Sequence, residues 1–309
     1  MTLRANRSGG LDLYTGVSTF GQGSETAFAQ VCSEVHGIDV DQIRIHAGDT
    51  GASPLNTGAF ASRTMIAAAG AIEAAAAPLR EKTLRIAAHL LEAGDPAELE
   101  VAGRVVRRRD DPDTAVELAT VHAVAITGQG LPPGEEPGLE STGHYEPESA
   151  AYVYGSAAAV VSVDPETGDF DIERFVVVHD SGRLVNPKLV DGQVYGALAQ
   201  GFGAALSEDL RYDPETGQLV NGTMLDYFVP TAADLPPIEL LHTEVPSPVT
   251  PFGVRGAGEG GTIPPGATVA NAICDALADH GVEITRLPVT PELVWRELIE
   301  ARKRSESTA

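Results

Sequence analysis

Residues 62–93 form a long run rich in alanine; Gly70 and Pro78 are the residues among them that disfavour a helix. Alanine has the highest intrinsic helix propensity, so the run predicts a long helix, or two helices meeting near Pro78. Charged residues interrupt it, and nowhere does the chain offer the ~18 uninterrupted apolar residues of a membrane span. Short segments of period-two alternation surround it, at 11–17, 42–47, 99–102 and 105–108. Helical spacing recurs at 26–35, stopped by Gly37, and at 114–123. Strands and helices are grouped rather than strictly alternating, which reads as an α+β class in two layers, with two α/β subdomains.

Residues 128–147 are rich in Gly, Pro and Glu, and this shift marks the boundary between a first subdomain at 1–146 and a second at 147–309. Beyond it, 152–163 and 170–178 flank the turn signal Asp164-Pro165-Glu166-Thr167-Gly168-Asp169 and predict a hairpin. Residues 190–206 and 262–277 read as helices. A second turn at 213–217 predicts a pair of short strands. Thr290-Pro291-Glu292 gives an N-cap, a proline at the first helical position and an acid in the first turn of a last helix ending near Ala301.

Charge limits the partners. Lys plus Arg is 21 and Asp plus Glu is 44 among 309 residues, a formal net charge of 21 − 44 = −23. Nucleic acid and anionic lipid need a basic face, so both are disfavoured. The two cysteines, Cys32 and Cys274, cannot supply the four thiolates of an iron–sulfur cluster or a closed zinc site, and both sit in apolar helical patterns that predict burial. No histidine forms an i, i+4 pair with another. The first residues are not followed by an apolar stretch of the kind a signal peptide needs, which predicts a cytoplasmic protein.

Four glycine-bearing loops carry the chemistry. In the first, Gly21-Gln22-Gly23 ends a strand before a helix. Backbone N–H groups there can face an anion, or the loop is an ordinary turn. The second runs from Gly48-Asp49-Thr50 to Ala61-Ser62-Arg63-Thr64 and opens the long helix. Two hydroxyls and a guanidinium at a helix N-terminus suit a phosphate, or they cap the helix. The third runs from Asp180-Ser181-Gly182 and Asn186-Pro187 into Gln193 and Gln200-Gly201-Phe202-Gly203. Seven residues apart, the two glutamines share a helix face, which fits a polar ligand or close packing of small residues. The fourth is Gly253-Val254-Arg255-Gly256-Ala257-Gly258-Glu259-Gly260-Gly261. It matches G-x-G-x-x-G formally. No clear strand precedes it and no acid follows at the usual distance, so a dinucleotide fold is rejected. An acid among glycines is open to a substrate, and partial burial would tune it toward general-base work. Otherwise Glu259 is a surface residue in a flexible turn.

The order of these motifs, together with Gly196 and Ala205-Leu206 on the third, resembles the C-terminal half of the molybdenum-binding subunit of the xanthine dehydrogenase and aldehyde oxidase family, the molybdenum hydroxylases. The resemblance covers nearly the whole chain. It implies a molybdenum–molybdopterin cofactor, in bacteria usually as the cytosine dinucleotide. It implies that Glu259 is the general base acting on Mo–OH. Gly21, Gln22, Gly23, Ala61, Ser62, Arg63, Thr64, Gln193, Gln200 and Gly258 match cofactor-contacting segments, and the metal is held through the pterin rather than by side chains. The family usually has Lys at Arg255, His at Ser24 and Gly at Ala61. Its molybdenum chains are more than twice as long, so a split subunit is implied, similar to the medium molybdopterin subunit of nicotinate dehydrogenases. The implied partners are a larger molybdopterin-binding subunit, an iron–sulfur subunit and an FAD subunit. The implied reaction is hydroxylation of an N-heteroaromatic or aldehyde substrate with water as oxygen source. Two other readings stand beside it: a non-catalytic binding or assembly protein that keeps the fold, and an acid/base hydrolase pairing Glu259 with Asp180 or Glu244.

Overall fold

The structure is a computed structural model that describes residues 1–308 except Pro54, Leu55 and Thr57. These three belong to the loop expected before Ala61, and that part of the expectation lies outside the described residues. The chain divides into two compact units. One comprises Met1–Ala151, Arg183–Asn186 and Pro246–Gly256; the other comprises Tyr152–Gly182, Pro187–Val245 and Ala257–Ala309.

The first unit is built on a four-stranded sheet. Strand β1 (Thr2–Ala5) pairs antiparallel with β2 (Leu11–Thr15), and β2 runs parallel to β3 (Ile43–Ala47) after a crossover through helix α1 (Ser24–His36). Alternate residues Leu3, Leu11 and Leu13 are fully buried and face one core. Helix α2 (Thr64–Leu90) packs on α1 and is a single helix despite Pro78. Pro78 and Ala74 both lie on its exposed face, so the carbonyl that loses its intrahelical donor meets water. Gly70 is needed where the Tyr145 ring crosses the helix, since a Cβ would stand 2.3 Å from Tyr145 Cγ. A small sheet of β4 (Leu99–Ala102), β5 (Val105–Arg108) and β6 (Ala115–Glu117) precedes α3 (Leu118–Thr127), and β7 (Glu140–Thr142) closes the main sheet beside β1. The helix expected at 114–123 therefore starts late: residues 115–117 are taken by the ladder to β5.

In the second unit β8 (Tyr154–Val163) and β9 (Phe170–Asp180) form the expected hairpin, with Asp164 accepting from the Glu166 N–H at 2.8 Å and from Thr167 Oγ1 at 3.0 Å in the turn. Helix α4 (Pro187–Leu206) crosses over to β10 (Ile238–His242), which pairs parallel with β9. Helices α5 (Pro264–Ala276) and α6 (Pro291–Thr308) complete it. Thr290 caps α6, its Oγ1 accepting from the Leu293 N–H at 3.2 Å, and the helix continues well past Ala301. Phe175, Leu198, Phe202, Val269, Ile273 and Val294 form the core, with the Phe175 and Phe202 rings edge to face at 4.9 Å. The expected strands around 213–217 reduce to one bridge, Tyr212 to Leu219. Asn221 takes over the ladder there, accepting from the Arg211 N–H and donating to the Asp209 carbonyl. Mixed sheets and clustered helices make the class α+β. Among the described residues no helix is long and apolar enough to cross a membrane.

Candidate functional site

In the second unit Glu259 stands on a loop pressed against its support by missing side chains. A Cβ on Gly260 would lie 2.1 Å from His179 Nε2. One on Gly261 would lie 2.6 Å from the Val194 carbonyl oxygen and 2.9 Å from Ala197 Cβ, both on α4. From the α4 side, a Cβ on Gly201 would lie 2.7 Å from the Thr262 carbonyl oxygen. Thr262 then donates its hydroxyl to the Ala197 carbonyl at 3.2 Å and its N–H to the Glu259 carbonyl at 3.1 Å. The loop is thus seated rather than flexible, as close backbone approach requires. Gly258 and Glu259 themselves are exposed. Of the two readings open for this carboxylate, partial burial and surface exposure, the described residues give the second.

The glycines of helix α4 differ in their surroundings. Gly201 and Gly203 are packing residues, meeting Pro265 and Glu208 respectively. Gly192 and Gly196 are not: a Cβ on either would meet nothing within 4 Å. They flank Gln193, and Gln200 lies one turn beyond on the same helix, exposed. Glycine inside a helix costs about 1 kcal/mol relative to alanine, and no packing among the described residues requires it at 192 or 196.

In the first unit Gln22 is half-buried and folded into its own loop, its Oε1 accepting from the Phe20 N–H at 2.8 Å. Gly23, at φ 78°, is the N-cap of α1, and no side chain caps that position. Helix α2 opens at Thr64, not at Ser62, with Arg63 as an N-cap that likewise lacks a side-chain cap. Two uncapped helix N-termini leave first-turn N–H groups directed outward, the arrangement that accepts anions. Arg63 lies over the Phe60 ring at 5.0 Å, and Arg63 and Thr64 line a cavity of about 110 Å³ with Gly58, His144 and Tyr145. Gly256 is pressed on the same segment, since its Cβ would lie 2.6 Å from Ser62 Cβ.

A model of the molybdopterin cofactor-binding domain matches residues 1–236. The chain belongs to that family. The gamma subunit of the 6-hydroxypseudooxynicotine dehydrogenase complex of Paenarthrobacter nicotinovorans is 37% identical over 294 residues, which are 95% of this chain and 36% of the relative. The large subunit of nicotine 6-hydroxylase from the same organism is 35% identical over 296 residues, 96% of this chain and 36% of the relative. The crystal structure of quinoline 2-oxidoreductase from Pseudomonas putida 86 superposes with a TM-score of 0.89 at 36% identity, covering 97% of this chain and 38% of that one. The chain thus spans little more than a third of the length of these relatives.

The resemblance implies a glycine where this chain has Ala61. The backbone shows why: Ala61 and Ser62 sit at φ 50° and 55°, in the left-handed region. That conformation costs roughly 1–2 kcal/mol for a residue with a Cβ, partly offset by the greater chain entropy of glycine. Ala61 is exposed and loses no packing on truncation. Ala61→Gly is expected to raise the stability of the chain by up to about 1 kcal/mol, read from the midpoint of urea denaturation; a lowered midpoint would contradict the strain.

Of the two acids that the hydrolase reading pairs with Glu259, Asp180 is committed to structure. Both Asp180 oxygens are engaged, Oδ1 by the Gly182 N–H at 2.8 Å and Oδ2 by Thr243 Oγ1 at 2.5 Å and the Val245 N–H at 2.9 Å. Asp180 ties the end of β9 to the segment after β10. Glu244 is exposed on a left-handed backbone. Cys32 is buried, with its thiol pushed up to about 12 by desolvation, whereas Cys274 is only half-buried and accepts the Ile284 N–H at 3.2 Å. His179, under Gly260, is the site residue that the motifs did not reveal.

Proposed function

We propose that this chain is one molybdopterin-binding part of a multi-subunit molybdenum hydroxylase that oxidises an electron-poor carbon of an N-heteroaromatic or aldehyde substrate. The balance is R–H plus water giving R–OH, two electrons and two protons. The observation that carries the reading is the Glu259 loop, which holds an exposed carboxylate on a backbone fixed by Gly260 and Gly261. The residues fit a pterin cofactor. Open glycines at 192 and 196 leave a cradle on α4 that a Cβ would begin to fill, with Gln193 and Gln200 as neutral donors on the same helix; in the first unit Gln22 stands beside the N-terminus of α1, which no side chain caps. The metal would be held through the pterin rather than by side chains of this chain.

When bound, a molybdenum–pterin cofactor, here as its cytosine dinucleotide, supplies a two-electron redox centre and a Lewis acid. Glu259 takes the proton of the water-derived nucleophile as its oxygen attacks carbon. Gly258, as the residue before it, leaves the approach open. Gly21, Gln22 and Gly23, with Ala61, Ser62, Arg63 and Thr64, hold cofactor phosphate and ring groups through backbone N–H, hydroxyl and guanidinium donors. Gln193 and Gln200 do so from α4. The two cysteines cannot hold iron–sulfur clusters, so electrons leave through an iron–sulfur subunit and an FAD subunit. A larger molybdopterin-binding subunit is the further partner of this reading. In support, Tyr212, Val220, Met224, Leu225, Phe228 and Val229 form an exposed apolar stretch on loops fixed by Asp213, Asp226 and Asp234 turns, a surface suited to a protein partner.

Gly196→Ala is expected to separate stability from cofactor binding. The isolated chain gains up to about 1 kcal/mol from the better helix former, while the assembled enzyme retains less molybdenum by metal analysis. Unchanged molybdenum content would remove α4 from the cofactor cradle. The reaction itself is tested by turnover in ¹⁸O-water with quinoline and benzaldehyde as probes and an artificial electron acceptor. Label in the hydroxylated product is expected. Product that carries unlabelled oxygen would overturn the assignment.

A further inference from the structure

We infer that His179 is a positioning residue for Glu259: its buried imidazole is the surface on which the Gly260 backbone rests, and it thereby fixes where the preceding carboxylate points. The inference rests on the reading of Glu259 as the base. His179 lies one residue from the end of β9, opposite His242 on β10 and Gly155 on β8. The ring is held on several sides. Nδ1 is 3.0 Å from Ser181 Oγ, and the His242 ring stands edge-on at 6.3 Å, itself fixed by Nε2 at 2.7 Å from Asp191 Oδ1. Gly155, with no side chain, leaves room on the β8 side. The remaining edge carries Nε2, which is buried and has no hydrogen-bond partner among the described residues. That edge faces Gly260, where a Cβ would come within 2.1 Å of Nε2 and 3.0 Å of Cδ2.

A buried ring nitrogen without a partner is unusual and calls for an account. Here the contact works through shape. A ring hemmed in by Ser181 and His242 cannot retreat, so the loop height above β9 is set by the imidazole. Desolvation and the neighbouring His242 hold His179 below the ordinary histidine range, so the seat stays uncharged beside the carboxylate. Displacing a reacting group by about 1 Å can cost about 10²-fold in rate, which sets the scale of the effect.

The test combines loop exchange with a mutant cycle. In the full chain, amide hydrogen exchange at Gly260, Gly261 and Thr262 is expected to accelerate at least about tenfold in His179→Ala, and His179→Gln, which keeps most of the volume, restores it. In the assembled enzyme, His179→Ala and Gly260→Ala are expected to lower kcat by about 10–10²-fold with KM and molybdenum content little changed, on whichever of quinoline and benzaldehyde is turned over. In a Glu259→Gln background the same His179→Ala change costs almost nothing more. Unaltered loop exchange in His179→Ala overturns the inference whatever the kinetics show. An equal kcat loss in both backgrounds overturns it as well. Near-normal turnover of Glu259→Gln alone sinks the base assignment, and the exchange result then still decides whether His179 seats the loop.

Discussion

Glu259→Gln is expected to lower turnover of the assembled, cofactor-loaded enzyme by about 10²–10⁴-fold, the usual worth of a general base. KM is expected to stay within a few-fold, and molybdenum content unchanged, because the amide keeps the size of the side chain and disturbs none of the glycine contacts that seat the loop. Two nearby acids of the second unit are already committed to structure. Asp180 is engaged by three donors and Asp191 by His242. Steady-state rates of the two proteins at matched metal content check the expectation. A variant with near-normal turnover would leave Glu259 a surface residue of a well-ordered loop.

The second large effect is acid instability of the first unit. His36 and His122 are fully buried, and desolvation pushes them down to about 3 and about 4, with His122 and Arg80 adding to the effect on His36. In the unfolded chain both take up a proton near 6.5. Between pH 6.5 and about 4 the unfolded state therefore binds more protons than the folded one. Stability falls with falling pH through that window by about 1.4 kcal/mol per pH unit for each histidine. Above pH 7 these two groups contribute no slope. Neither ring nitrogen of His36 has a hydrogen-bond partner among the described residues, so His36→Phe removes a titrating group without breaking a bond. Urea midpoints at pH 7, 5.5 and 4.5 are expected to fall steeply for the natural chain and less steeply for His36→Phe. A flat series would show that these histidines gain protons in the folded state.

Much of the architecture is legible in the sequence wherever a periodic pattern is long or a cap is chemically explicit. The strands at 99–102 and 105–108, the hairpin around Asp164, helix α4 and the Thr290 cap all follow from local patterns. The elements that do not are short or depend on distant partners. Strands β1 and β7 are four and three residues long, and β7 is defined by its pairing with β1 from the far end of the first unit's sequence. Strand β10 is defined by its ladder to β9, and Ala115–Glu117 by its ladder to β5, which overrides a helical pattern. Pro78 reads as a break and is not one, because which face of a helix meets water is a tertiary property. At the site, motif order points to Glu259, Gln22, Arg63 and the α4 glutamines. What it cannot carry is exposure. The sequence alone does not tell Gly201, which packs, from Gly196, which does not, nor does it show that Glu259 lies open. His179 is invisible for the same reason, since its only link to the glutamate loop is the space a glycine leaves.

The central claim is that this chain works as a cofactor-binding piece of a larger molybdenum enzyme. Mild affinity purification from the native host, with metal analysis and identification of the chains that accompany it, tests this most directly. The account predicts close to one molybdenum per chain and a larger molybdopterin-binding subunit in the same complex. A folded chain recovered alone and free of molybdenum would contradict it.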